Sequence, residues 1–356
     1  MDAEHLKKLA LLLRNLSLKN EVRIMEVCGT HTTEFFKTGV RDMLPQNLVL
    51  IDGPGCPVCV TPNSYLDTAI EIGRKHGAVI ATFGDMVKVP SSYSSLAGEK
   101  ADGMDVRIVY SPLEALDIAE KNTGREIVFL SVGFETTAPA EAATVLEAKK
   151  RNIKNFSILP GNKLTVPAVK ALLDSQEVKI DGFIIPGHVS ALIGADAWRF
   201  IPEQYNKPCV VSGFEAHDLM TGLISLTGLI LNGKNELKNE YSRVVKPEGN
   251  KNAIDIMLSV FKPETSVWRG LGPIPESGLA VREEYSMFDA LKKFPVAPPE
   301  PREDPLCRCG ELLRGLILPP DCPLFGKKCT PESPVGPCMV STEGPCSAFF
   351  KYRSAP

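Results

Sequence analysis

Apolar residues recur along the first 260 positions in short, nearly continuous blocks separated by longer amphipathic segments. Continuous apolar blocks are typical of strands buried on both faces of a parallel sheet, and a helical period predicts covering helices. The predicted strands are residues 22–27, 48–51, 78–83, 106–110, 127–132, 156–159, 183–185 and 209–211, and the predicted helices include 4–16, 64–76, 112–122 and 166–174. The alternation predicts an α/β fold with parallel sheets.

Two similar loops indicate that this region has two related halves. Residues 133–136 (GFET) follow one predicted strand, and residues 213–216 (GFEA) follow another. In open α/β sheets, the loops that leave the carboxyl ends of strands carry the functional site. We therefore predict an α/β domain over residues 1–135, a second α/β domain over 136–262, and a separate remainder over 263–356.

The pattern changes in the remainder of the chain. Prolines cluster at residues 295–301, which predicts a linker or an ordered strap. Strand and helix periodicity nearly vanishes beyond it, and six of the ten cysteines follow: Cys307, Cys309, Cys322, Cys329, Cys338 and Cys346. Such a segment needs a metal centre or disulfides to hold it together. Four thiolates suit structural zinc or a [4Fe-4S] cluster, and the spacing does not decide between them.

Composition narrows the class of protein. The chain has 356 residues, 44% of them hydrophobic, and a net charge of −3, so no basic surplus favours nucleic acid or an anionic membrane. No apolar stretch is long enough to span a bilayer, and the N-terminal segment is an amphipathic helix rather than a signal peptide. We expect a cytoplasmic protein, in which ten cysteines indicate metal or redox chemistry.

A thiol and an imidazole follow the first predicted strand. Cys28 and His31 are three residues apart where the strand gives way to a helix, so both can face one site. We expect the helix N-terminus to lower the pKa of the Cys28 thiol. For His31, an ordinary position in the first helical turn is an equally open interpretation.

A second pair of cysteines follows the next predicted strand. Residues 53–55 (GPG) end that strand in a tight turn, and Cys56 and Cys59 come directly after it. This spacing lets two sulfurs bind one metal or close a disulfide, although two buried thiols under a turn remain an alternative. If both strands are parallel, Cys28 and Cys56 lie at the same edge of one sheet.

Further candidates lie in other loops after strands. Glu135 and His188 each follow a predicted strand, and we interpret both as functional, with helix capping and a solvated rim as the alternative for these loops. Cys209 lies inside an apolar strand and is predicted to be an inert core residue.

These motifs together resemble the HypD family of hydrogenase maturation proteins. The matching segments are residues 28–32 (CGTHT), 53–61 (GPGCPVCVT), 133–139 (GFETTAP), 186–190 (PGHVS) and the cysteine-rich tail from 307 to 346. The resemblance covers nearly the whole chain. It implies two α/β domains and a small C-terminal domain carrying a [4Fe-4S] cluster.

The resemblance also implies a role and partners. The role is that of a scaffold for assembling the Fe(CN)₂CO group of [NiFe]-hydrogenase, together with a HypC-type small chaperone and a HypE-type cyanide donor. Cys28 would then hold the iron, beside a redox-active Cys56/Cys59 dithiol. The implied cluster ligands are Cys307, Cys322, Cys329 and Cys346, with Cys309 and Cys338 as a thiol–disulfide pair. A cluster and two dithiols would form an electron path to Cys28.

Two other interpretations stay open at this point. Without the resemblance, the Cys56/Cys59 pair and a cluster indicate a thiol–disulfide oxidoreductase with an iron–sulfur relay. A zinc-stapled α/β interaction protein without redox chemistry is a third possibility.

Overall fold

The computed structural model describes residues 3–353. Its strands are β1 (Val22–Glu26), β2 (Leu48–Asp52), β3 (Val79–Thr82), β4 (Val106–Ile108), β5 (Ile127–Ser131), β6 (Phe156–Pro160), β7 (Gly182–Pro186), β8 (Cys209–Ser212), β9 (Leu237–Asn239), β10 (Phe261–Trp268) and β11 (Gly272–Val281). Each predicted strand is present within a residue or two of its expected limits.

Helices connect and cover these strands. They are α1 (Ala3–Arg14), α2 (Gly29–Lys37), α3 (Pro57–Val60), α4 (Asn63–His76), α5 (Leu96–Ala101), α6 (Pro112–Lys121), α7 (Ala138–Lys150), α8 (Thr165–Ser175), α9 (Gly187–Ile193), α10 (Phe200–Tyr205), α11 (Ala216–Leu231), α12 (Lys251–Val260), α13 (Ala290–Lys293), α14 (Cys309–Leu313), α15 (Pro337–Val340) and α16 (Pro345–Arg353). Within residues 3–353, no helix is both long enough and apolar enough to cross a membrane.

Local sequence fixes several of these boundaries. Ser111 begins α6 by accepting a hydrogen bond from the Glu114 amide at 3.2 Å, and Pro112 occupies the first turn, where a missing N–H costs nothing. Gly77 ends α4 with a left-handed φ of 62°, a conformation that other residues adopt only with strain.

The strands form two parallel sheets and one antiparallel hairpin. The first sheet has the order β2-β1-β7-β8-β9, and the second has the order β4-β3-β5-β6. Every residue of β5 and β8 is buried, as the apolar blocks require. The predicted α/β class with a cysteine-rich C-terminal region is therefore confirmed.

The sheets do not follow the predicted division at residue 135. The first sheet pairs β1 with β7, with Ile24 opposite Gly182, so it draws on both the first 52 residues and residues 182–239. The second sheet is built entirely from strands that lie between β2 and β7 in sequence. Local apolar pattern identifies a strand but not its neighbour, so it cannot predict which strands share a sheet.

The region predicted as a separate remainder from residue 263 contains strands that pack with the second sheet. Strands β10 and β11 form a hairpin whose buried Phe261, Leu279 and Val281 share a core with Phe129 of the second sheet. Residues up to α13 therefore belong with the second sheet. The cysteine-rich tail begins after them and packs through α14, α15 and α16 onto α2 and α3, at the carboxyl ends of β1 and β2.

Candidate functional site

The loops after β1 and β2 meet at one sheet edge, as the sequence predicts. The Gly29 amide donates to the Gly55 carbonyl at 3.0 Å. A Cβ atom on Gly55 would lie 2.4 Å from the Cys28 Cα atom, so only glycine permits this approach. Cys28 and the Cys56–Cys59 turn are thereby held side by side.

Cys28 is only 3% exposed and lies behind Gly55 and His188, two residues that line a neighbouring cleft. It precedes α2 directly, while His188 lies in the first turn of α9, after the neighbouring strand β7. The His188 Nε2 atom lies 3.9 Å from the Cys28 sulfur. Burial lowers the pKa of His188 to about 4, so the imidazole is neutral near pH 7 and offers a nitrogen lone pair.

The expected lowering of the Cys28 pKa is wrong in direction. Burial raises the pKa of the Cys28 thiol to about 12, and the nearby Glu343 carboxylate raises it further. The amides of Thr30 and His31 offset only part of this effect. Desolvation of a thiolate outweighs one helix terminus. The thiol therefore keeps its proton near pH 7.

His31 contacts the site through an aromatic ring. Its Nε2 atom lies 2.9 Å from the Gly213 carbonyl oxygen, and burial lowers its pKa to about 3. Phe214 stacks on His31 with 4.5 Å between ring centroids and on His188 with 4.9 Å. Sequence analysis did not single out Phe214 as a site residue, although the repeated GFE loop was a usable indication.

Glu343 is a second residue that sequence analysis missed. It comes from the cysteine-rich tail, and its Oε1 atom accepts a hydrogen bond from the Thr30 hydroxyl at 2.5 Å. Burial raises the pKa of this carboxyl group. The tail thus contributes a carboxyl group to the site around Cys28, which the division into separate domains concealed.

The cleft has a volume of about 270 Å³ and lies between the strand ends of the two sheets. Its walls include Gly55, Phe134, Thr136, His188 and Glu343. It therefore combines loops from both sheets with one residue pair of the tail, Thr342 and Glu343.

Glu135 is held away from this cleft, between its two wall residues Phe134 and Thr136. Its Oε1 atom accepts from the Thr165 amide at 2.7 Å and from the Thr165 hydroxyl at 3.0 Å, at the start of α8. Burial raises the pKa of Glu135 to about 7. The contacts assign it an anchoring role, and its predicted part in the chemistry stays a prediction.

A buried charged network supports the site from below. Glu26 and Asp52 are opposite each other at the ends of β1 and β2. The Arg41 guanidinium lies 3.3 Å from the Glu26 carboxylate, and the Thr32 hydroxyl donates to Asp52 at 3.0 Å. Burial raises the pKa of Glu26 to about 8. These contacts fix α2, and with it Cys28, on the sheet.

Cys56 and Cys59 form a disulfide, and both are buried. Helix α3, which carries Cys59, packs against α14 and α15, which carry Cys309 and Cys338. Arg269 also ties the turn to the tail, because its guanidinium donates to the Thr61 carbonyl at 2.9 Å and pairs with Glu303. The turn therefore lies between the Cys28 site and the tail.

The six tail cysteines line one apolar cavity. Leu312, Leu324, Phe325 and Met339 complete its walls, and all six thiols are free. The sulfurs of Cys309 and Cys338 are 2.6 Å apart. A dry cavity lined by thiols has the donor set that an iron–sulfur cluster or zinc requires. Cys209, by contrast, is fully buried in β8, as expected of a core residue.

A further group of possible ligands carries no metal assignment. Glu215, His217 and Asp218 place ligand atoms within 4.8 Å of one another. Both Asp218 oxygens already accept from the Arg243 guanidinium at 2.7 Å, so a positive charge occupies the position where a cation would bind.

The chain matches one protein-family model and several named proteins along nearly its whole length. The HypD family model, described as "Hydrogenase formation hypA family", matches residues 4–353. Hydrogenase maturation factor HypD of Escherichia coli (strain K12) is 43% identical over 351 residues, covering 98% of this chain and 94% of that protein. The HypD proteins of Rhodobacter capsulatus and Azotobacter vinelandii are 44% and 43% identical over 340 and 341 residues, each covering 94% of this chain and 90% of the relative.

Proposed function

The chain belongs to the HypD family of hydrogenase maturation factors, and from this premise we propose that it is the scaffold on which the Fe(CN)₂CO group is assembled. The observation that carries the proposal is the Cys28 site. One buried thiol lies beside a neutral imidazole, and that imidazole lines a cleft between the strand ends of the two sheets. Such a site suits one soft, sulfur-bound iron as cargo.

In this proposal, Cys28 supplies one thiolate to the iron and a HypC-type small chaperone supplies a second ligand. Binding displaces the thiol proton, for which the neutral His188 at 3.9 Å is the nearest acceptor on this chain. Cyanide would arrive from a HypE-type partner through the open side of the cleft. Chemistry of this kind requires a reducing compartment, so the proposal places the protein in the cytoplasm.

The tail cavity fits a [4Fe-4S] cluster because its walls bring free thiols together in apolar surroundings. All six tail cysteines lie close together around this cavity, and from the family resemblance we propose Cys307, Cys322, Cys329 and Cys346 as the ligands. The paired sulfurs of Cys309 and Cys338 would then remain as a thiol–disulfide pair. When bound, the cluster supplies single electrons.

The chain contributes to electron delivery by placing its cysteine pairs next to one another, from the tail to the Cys56–Cys59 turn and on to Cys28. Cys309 and Cys338 are carried by helices that pack against the Cys56–Cys59 turn, and that turn contacts Cys28. Reduction of the Cys56–Cys59 disulfide takes up two electrons and two protons and yields two thiols. We propose that this dithiol supplies electrons for attaching the diatomic ligands to iron held at Cys28.

Infrared spectroscopy of the anaerobically purified protein, produced together with its small chaperone, tests the proposal. We expect absorption in the cyanide and carbonyl stretching region, and its loss in a Cys28→Ala variant. Cys209→Ala is the matched control, because Cys209 is another buried free thiol of the same sheet and should keep both absorptions. Bands that survive in Cys28→Ala, or no bands under any co-production, would contradict the scaffold role.

A thiol–disulfide oxidoreductase is the second candidate function. One observation favours it: Cys56 and Cys59 form a disulfide, while the other eight cysteines are free. Iron analysis separates the two. A scaffold holds one iron beyond the cluster when its partner is present, whereas an oxidoreductase holds the cluster iron alone and reduces an added disulfide substrate.

A further inference from the structure

The tail passes over the Cys28 site between two of its cavity cysteines. We call residues 339–345, which lie between Cys338 and Cys346, the clamp segment. The Thr33 hydroxyl of α2 donates to the Thr342 carbonyl at 2.8 Å, and the Thr30 hydroxyl donates to the Glu343 carboxylate at 2.5 Å. Two hydroxyls in the first turns of α2 therefore grip the middle of the clamp segment.

The clamp segment is tightly packed at two positions. A Cβ atom on Gly29 would lie 2.2 Å from the Glu343 carbonyl oxygen, and one on Gly344 would lie 2.2 Å from the Cys338 carbonyl oxygen. Such contacts exist only because both positions are glycine. A shift of Cys338 or Cys346 must therefore move Thr342 and Glu343 as well.

The helix that follows the clamp segment packs farther along the same face of α2. Phe349 of α16 packs edge-on against Phe36 of α2, with 5.0 Å between ring centroids. The Arg41 guanidinium lies 4.7 Å from the Phe36 ring and 4.8 Å from the Phe349 ring. Helix α16 begins at Pro345 and includes Cys346. The same short helix therefore contacts both the tail cavity and α2.

The clamp segment also separates two cavities. Thr342 and Glu343 line the central cleft, and the same two residues line an outer cavity of about 240 Å³ together with Thr30 and Thr33. Cys28 is 3% exposed, and Glu343 of this wall lies close enough for its charge to act on the thiol. Displacement of the wall would join the two cavities beside Cys28.

We propose that occupancy of the tail cavity controls access to the Cys28 thiol through the clamp segment. This inference rests on the proposed function only in placing a cluster in that cavity. With Cys346 bound to a cluster, the clamp segment is fixed at both ends and closes over Cys28. With the cavity empty, Cys346 is free, the clamp segment loses its fixed end at the cluster, and local opening exposes the thiol to solvent.

The consequence is an order of loading. A chain without its cluster presents an open Cys28 that cannot retain iron in a closed site. A chain with its cluster presents the closed site shown by the structure, and the iron is admitted through the cleft. Cluster insertion would therefore precede iron binding at Cys28.

Anaerobic alkylation tests this inference on the full chain produced without a small chaperone, so that Cys28 carries no cargo. Iodoacetamide labelling of Cys28 is followed by peptide mass spectrometry before and after a chelator removes the cluster. We expect the Cys28 labelling rate to rise by about tenfold, as expected for local opening. Cys209, which no part of the clamp segment contacts, is the internal control and should stay unlabelled in both forms.

A substitution gives an independent measurement. Thr33→Val removes the hydroxyl that holds the Thr342 carbonyl but keeps the side-chain shape, and Thr33 is not a ligand of any proposed metal. The cluster-loaded variant should label Cys28 about threefold faster than the unaltered protein, as the loss of one hydrogen bond predicts. Its iron and sulfide content should not change.

The outcomes separate this inference from the proposed function. Equal Cys28 labelling with and without the cluster overturns the coupling, as does a parallel rise at Cys209, which would report general loosening. A protein without iron and sulfide in the tail cavity overturns it too. Infrared bands that depend on Cys28 would support the scaffold role even if Cys28 labelling did not depend on the cluster. That combination would contradict only the coupling between the tail cavity and Cys28.

Discussion

The two sheets and the cysteine-rich tail build their interiors from different materials. Strands β5 and β8 are buried along their whole length by apolar side chains, and they need nothing else. The α-helices of the tail are only four, five and nine residues long, and its six thiols lie in an apolar cluster shared with the Cys56–Cys59 turn and the second sheet. One half of the Cys28 site therefore rests on a self-sufficient scaffold, and the other half rests on what the thiols bind.

Loss of a proposed cluster ligand should produce the largest difference in stability between the tail and the two sheets. Cys346→Ser should abolish cluster binding, and metal binding supplies on the order of 10 kcal/mol to small cysteine-rich domains. We expect residues 309–353 to lose protection from hydrogen exchange while β1 and β5 keep theirs.

Hydrogen exchange with mass spectrometry measures this, with Cys209→Ala as the control that retains a protected tail. Equal loss of protection in the tail and in both sheets would show that the two regions are not independent, contrary to the comparison.

Overpacking the sheet side of the site should have the next largest effect on stability, because the backbone there is closely packed. Gly55→Ala places a methyl group 2.4 Å from the Cys28 backbone, and we expect a loss of about 2–3 kcal/mol in the free energy of unfolding. Urea denaturation measures it. Gly84→Ala is the matched control, because its new methyl group would meet only Ile108, at an ordinary 3.5 Å. A similar loss in both variants would contradict the account.

The sheet interior also predicts a pH dependence. Ser131 and Asn162 donate to the Glu141 carboxylate, and burial raises the pKa of Glu141 from 4.5 to about 7. The folded protein therefore holds a proton that the unfolded chain releases between these values. Stability should fall as the pH rises from 4.5 to 7, by at most about 3 kcal/mol, and then level off.

Urea titrations at several pH values check this dependence. Glu141→Gln should flatten part of the slope, while the exposed Glu236→Gln should keep it. An unchanged slope in Glu141→Gln would show that other buried acids carry the effect.

The smallest effect should follow loss of the one cysteine that lies inside a strand. Cys209→Ala removes a buried sulfur from β8, and we expect a loss of about 1 kcal/mol in stability with unchanged iron and sulfide content. Thermal unfolding and metal analysis check both parts. A lowered metal content would mean that a core thiol also serves the metal sites.

The same contrast explains what the sequence could predict of the fold. The eight predicted strands are mostly apolar, so local pattern identifies them. Strand β10 was missed because only its end residues, Phe261 and Trp268, are buried, and the intervening positions face solvent. The sheet orders were missed because pairing of β1 with β7 depends on contacts far apart in sequence.

The site divides in a similar way. The contact between the loops of Cys28 and Cys56 followed from two adjacent parallel strands. Sequence spacing left His31 open as a partner of Cys28, but α2 directs His31 to the Gly213 carbonyl, and His188 takes that position. Glu343 was invisible because its contact with Thr30 spans 313 residues.

The insertion of the second sheet within the first has a consequence for synthesis on the ribosome. Strands β1 and β2 emerge early, but β7 follows long after them, since Arg23 and its partner Asp181 are 158 residues apart. At about 5–20 residues per second, this delay is roughly 8–30 seconds. Throughout it, the inner edge of β1 has no neighbour, while β3 to β6 can already pair. The nascent chain should therefore depend on ribosome-associated chaperones, and its yield should follow translation speed more closely than the stability of the finished protein.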